Sequence, residues 1–151
     1  MRIGGRWRLA LAAALLLGGG VPLCPSSRAF AQGISATAAP APGSAQRRAI
    51  LDALRPSIDA QIGSDVEFVV REIRVVRGWA LVIADPQRPG GGAIEGSRYF
   101  SADDWEVMDG LTVNGVLRFS GGRWRLVDHA VGPTDVWYCG VEGPPRALTG
   151  C

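Results

Sequence analysis

Lysine is absent from this chain, and all sixteen of its basic residues are arginine. Histidine occurs once, as His129, and cysteine three times. A helix needs about 20 apolar residues to cross a bilayer, and the longest apolar run, residues 9–17, has nine. Each shortage excludes a chemistry. A phosphate loop requires Gly-Lys-Ser/Thr after its glycines, and nothing of the kind follows Gly90-Gly91-Gly92. One histidine and few cysteines leave too few ligands for zinc. The acidic group Asp103, Asp104, Glu106 and Asp109 lacks the alternating spacing and glycine of a calcium loop, so it reads as a solvated surface segment. No serine lies in a nucleophile-elbow pattern. No cofactor and no metal are expected.

What is present at the amino terminus is an address. Arg2, Arg6 and Arg8 precede the apolar run, Gly18 to Gly20 and Pro22 interrupt it, and Ala29-Phe30-Ala31 offers the small-x-small pattern of signal peptidase. These features predict a signal peptide over residues 1–31, cut before Gln32, and a periplasmic or secreted protein with no membrane span after its removal. The residue before Cys24 is the bulky Leu23, which argues against lipidation. The paired arginines of a twin-arginine signal are also missing. Beyond residue 31, twelve arginines face fourteen acids, so the basic footprint of a nucleic-acid binder is not there. Cys139 and Cys151 remain, and two thiols in an oxidising compartment are expected as a disulfide.

Hydrophobic periodicity sets the architecture. Residues 32–45 are small, uncharged and proline-containing, and read as a flexible linker. Ile50, Leu54, Ile58 and Ile62 recur every fourth residue, which predicts one amphipathic helix ending at Gly63, with a kink at Pro56. Residues 65–77 read as a long strand. Its apolar parity changes between Val70 and Ile73, so a β-bulge is expected near Arg71-Glu72. Arg77-Gly78 makes a tight turn. Residues 79–84 are apolar on both faces, the pattern of a central strand, and Asp85-Pro86 is expected to end it. Residues 87–96 form a glycine-rich loop, and Ser101 caps a short turn through Trp105. Residues 111–119 and 123–131 form a hairpin around Ser120-Gly121-Gly122. Thr134 or Asp135 is placed to cap a last turn through Trp137 and Cys139.

The sum is a single α+β domain over residues 46–138: a kinked N-terminal helix packed on a curved four-stranded antiparallel sheet. Residues 139–151 form a tail closed by the disulfide. Trp79, Trp124, Phe68 and Phe119 are expected between helix and sheet. The element order resembles cystatin-like and NTF2-like architectures. The stretches Ala84-Asp-Pro-Gln-Arg-Pro-Gly-Gly91 and Gly121 to Tyr138, above all Gly-Pro-Thr-Asp-Val-Trp, resemble segments of small exported proteobacterial proteins. That resemblance implies export and one α+β domain, and it carries no catalytic residue over.

Two functional readings follow. The leading one is a non-catalytic module of the cell envelope that binds a small ligand or a protein partner, in the concavity of the sheet or through a surface formed by Trp105, Trp137 and Arg98, since aromatics and arginine dominate binding hot spots. The other is a small enzyme in which Asp135, beyond the Gly132-Pro133 turn, orients His129 for acid–base work. Asp128 is adjacent to His129 on a strand and so points to the opposite face.

Overall fold

The computed structural model describes residues 38–151. The expected signal peptide, with Cys24, and the start of the expected linker lie outside the described residues. Seven elements follow in order: helix α1 (Ala45–Ile62), strands β1 (Glu67–Val76) and β2 (Trp79–Gln87), helix α2 (Ala102–Val107), strands β3 (Val113–Ser120) and β4 (Arg123–Val131), and the short helix α3 (Arg146–Thr149). The four strands form one antiparallel sheet in chain order, with α1 across it. The fold is α+β, and no helix among the described residues is long and apolar enough to cross a membrane.

The helical stripe is buried as its spacing requires. Ile50, Leu54, Ile58 and Ile62 are fully buried. Each such side chain stabilises by about 1.5–3 kcal/mol. Ser44 accepts a hydrogen bond from the Arg47 amide and caps the first turn. The helix continues through Pro56 without a restart, at an exposed position. Its other end is closed by a distant arginine. Arg88 donates to the carbonyls of Ile62 (2.7 Å), Gly63 (3.2 Å) and Ser64 (2.5 Å), and to the Tyr99 hydroxyl (2.8 Å). A cation at the carbonyl end of a helix meets both unsatisfied acceptors and the negative pole of the dipole.

The sheet register contains the expected bulge. Val70 pairs with Ala84 and Glu72 with Ile83, which leaves Arg71 unmatched. The slip keeps Phe68 and Val70 before it, and Ile73 and Val75 after it, on the side that packs against α1. Arg77 and Gly78 both take positive φ, 48° and 76°, as a two-residue turn between twisted strands demands. On the helix side Gly115 touches Leu54 so closely that a Cβ there would lie 2.9 Å from the leucine Cδ1.

The second side of β2 is covered too. Leu81 and Val116 are fully buried, and with Val76 they form a cluster closed by Tyr138 and Leu148 of the C-terminal tail. Cys139 and Cys151 are joined, with Cα atoms 5.7 Å apart, and the bond closes the tail that carries these two side chains.

Four details differ from the reading of the sequence. β2 does not end at Asp85-Pro86 but continues to Gln87, because β3 pairs only as far as Ala84 and the missing proline donor faces no neighbour there. Trp79 packs under the tail rather than under α1, and Phe119 is 40 % exposed beside Trp124, so only Phe68 and Trp124 of the four aromatics serve the helix interface. The last turn, Trp137–Gly140, starts at Val136 with no side-chain cap, and neither Thr134 nor Asp135 supplies one. Finally, Ala38 pairs with Val75 through two backbone hydrogen bonds and Pro40 is buried, so the chain is already docked on β1 before α1 begins.

Two stability predictions follow from this packing. Opening the 12-residue separation with Cys139→Ser should lower unfolding free energy by about 3 kcal/mol, read in urea titrations against the oxidised protein. Gly115→Ala should cost about 1–3 kcal/mol by overpacking Leu54, and Gly115→Ala with Leu54→Val should recover part of it in the same titration.

Candidate functional site

The bulge that keeps β1 in phase also creates a polar arrangement at the end of β2. Glu72 and Arg71 are consecutive, yet both turn to the side of the sheet away from α1. Arg71 leans across to β2, where its Nε lies 2.5 Å from Oδ2 of Asp85. The other oxygen of Asp85 accepts from the Thr112 hydroxyl at 3.1 Å. Asp85 is therefore held from two sides, by the bulge of β1 and by the residue that leads into β3. The pair is open to solvent, with side-chain exposures of 61 % and 36 %, so it contributes little to stability. Its value lies in orientation.

Above this wall stands Trp105. Ser101 caps α2 by accepting from the Asp104 amide, and its hydroxyl meets the Asp104 carboxylate at 2.6 Å. The cap sets α2 against the preceding turn, Gly96–Arg98, and the indole of Trp105 rests on Gly96, where a Cβ would overlap its ring. Trp105, Arg71, Asp85, Asp109, Leu111 and Thr112 line a cleft of about 380 Å³, open to solvent. The lining combines apolar Pro86, Ile94 and Leu111 with one cation, two carboxylates and the indole of Trp105. Such a set can hold a small polar molecule with a flat apolar face, by stacking on the indole and by hydrogen bonds to the Arg71–Asp85–Thr112 row.

The other candidate residues are placed as follows. His129 is half-buried on β4, on the α1 side, and its Nε2 lies 3.0 Å from the Gln61 amide nitrogen of α1. Asp128 turns back and its Oδ1 accepts from the His129 backbone amide at 2.8 Å. Asp135 is exposed beyond the end of β4. Trp137 lies in the turn after β4, half-buried against the Leu81–Val116 cluster and edge-on to Tyr138, with its indole N–H unpartnered. Arg98 is exposed in the turn that packs on α2, next to the Trp105 platform. Thus Arg98 and Trp105 share one corner, whereas Trp137 belongs to the tail. The concave side of the sheet is filled by α1, and the cleft lies at the end of β2 instead. Gly90 and Gly91 form a turn closed by the Arg88–Gly92 bridge. Among the described residues no cluster of three or more histidine, cysteine or acidic side chains is spaced to hold a metal ion.

Arg71, Asp85 and Thr112 were not legible as a site from the sequence. Arg71 is marked as special by the parity change, but its partner Asp85 reads as a strand terminator beside Pro86, and Thr112 carries no signal at all. Comparison of the chain with protein-family models, with curated proteins and with solved structures found no match. The seat of Trp105 is directly testable. Gly96→Ala should displace the indole and shift its fluorescence, and the shift should vanish in a Trp105→Phe background.

Proposed function

We propose that this chain is a non-catalytic binding module of the cell envelope, and that its ligand is a small polar molecule held in the Trp105 cleft. The observation that carries the reading is the doubly held Asp85. A carboxylate fixed by Arg71 and Thr112 beside an indole face is preorganised, so little ordering is left for the ligand to bring about. A sugar ring matches this chemistry, since it presents a flat C–H face for the indole and vicinal hydroxyls for a carboxylate–guanidinium row. Residues 1–31 and the exposed Cys139–Cys151 disulfide support an oxidising, extracytoplasmic address.

The enzymatic alternative rests on His129 with Asp135. His129 instead has Gln61 as its ring partner, which supports a role in seating the end of α1 on β4. His129→Gln retains one hydrogen-bonding amide there and should leave ligand binding unchanged.

The test is a saccharide-fragment titration followed by amide and indole chemical shifts. Shifts should gather at Trp105, Thr112 and Asp85. Asp85→Asn or Trp105→Ala should weaken binding about 10-fold or more, the loss expected for one charged hydrogen bond or one stacking face. Shifts that map elsewhere, or binding untouched by both variants, would overturn the reading.

A further inference from the structure

The hairpin turns Arg77-Gly78 and Gly121-Gly122 lie side by side at one end of the sheet, linked by the hydrogen bond from the Phe119 amide to the Gly78 carbonyl at 2.7 Å. Four arginines gather at this end. Arg77 is in the first turn, Arg118 and Arg125 face each other directly across β3 and β4, and Arg123 follows the second turn. All four are exposed. Like charges opposite one another in a sheet are destabilising, and no ion pair among the described residues includes any of the four. Arg118 instead lies 4.8 Å over the Trp79 ring. The nearest strand acid, Asp128, is one row back on the same side and its Oδ1 is bonded to the His129 amide. Glu142, beside the Gly143 that rests on Trp79, is the one tail acid placed here.

The other end of the sheet has the opposite sign. It carries α2 and its flanks, with Glu95, Asp103, Asp104, Glu106 and Asp109, all exposed. Arg71, Arg88 and Arg98 also lie at this end, which is net acidic all the same, in a domain whose total is close to neutral. At the basic end, on the opposite face of the sheet from Arg118, Arg123 and Arg125, Phe119 stands 40 % exposed.

We propose that the basic end of the sheet docks on an anionic lipid bilayer. Four unpaired guanidinium groups around two glycine turns match a plane of phosphate headgroups, and Phe119 adds an apolar contact at the depth of the headgroup boundary. A linear polyanion would be served equally by the arginines and is the competing occupant, which the heparin arm of the experiment separates from a bilayer. The acidic end is repelled from the same plane, which orients the molecule with the Trp105 cleft facing away from the membrane. This inference stands independently of the ligand assigned to that cleft.

The experiment is co-sedimentation of the full chain with vesicles of phosphatidylcholine alone and of phosphatidylcholine with about one-third phosphatidylglycerol. Arg2, Arg6, Arg8 and the apolar run at residues 9–17 also favour anionic lipid but are common to every variant, so the sheet end is read from the difference between variants and the unaltered chain on the anionic vesicles. Anionic vesicles should bind more protein, and salt should abolish the excess. Arg118→Gln with Arg125→Gln should reduce the excess about 30-fold, roughly 5-fold per arginine. Arg98→Gln, at the opposite end, should leave it unchanged. Phe119→Ser should also lower it, with all variants retaining the wild-type melting temperature to within a few degrees. Equal binding to both vesicle types, an unaffected double variant, or capture by heparin but not by vesicles would overturn the proposal.

Discussion

The central strand β2 is apolar on both faces, and burying both is the constraint on which the rest of the molecule depends. Ala80, Val82 and Ala84 point to one side and Leu81 to the other, all with no solvent exposure. A helix can satisfy only one of these faces. α1 does so with four residues on one stripe. The second face needs a cover of its own, and the chain has little left to make one. The tail provides Tyr138 and Leu148, but it is short and rich in proline and glycine, and cannot order itself by local interactions. The Cys139–Cys151 bond reduces the freedom that the tail would otherwise lose on docking.

The tail does not reach the far end of β2, and that gap is where the candidate site lies. Past Ala84 the strand has no β3 partner, Pro86 closes one hydrogen-bonding edge, and the outward side chains become polar. The bulge at Arg71 supplies a guanidinium there without disturbing the core parity of β1. Packing and site thus share one device: the extra residue that keeps Ile73 and Val75 under the helix is the residue that reaches Asp85. The long connection from β2 to β3 is secured by Arg88 on the end of α1, so the loop bearing Trp105 is anchored at its root rather than free to move.

Much of this was legible in the residues. The stripe from Ile50 to Ile62, the parity change around Arg71, the two-faced pattern of residues 79–84 and the cap at Ser101 are local, and each produced the element it implies. The failures were non-local. Trp79 and Trp124 look alike in strand patterns, but one faces the tail and the other α1, because each parity is assigned to a face only when both covers are in place. Arg88 reads as one more polar loop residue, since nothing near it in the chain reveals that its partners are carbonyls 24 to 26 residues earlier.

By itself, then, the order of residues determined the helix, the four strands and their turns, because periodicity and turn chemistry act within a few residues. Only the tertiary structure decided which side of the sheet each cover takes, that Asp85 is held between Arg71 and Thr112, and that Arg77, Arg118, Arg123 and Arg125 gather at the hairpin end of the sheet. Those outcomes depend on strand register and on contacts between residues far apart in the chain, and a pattern read along one dimension carries no information about which distant positions will meet.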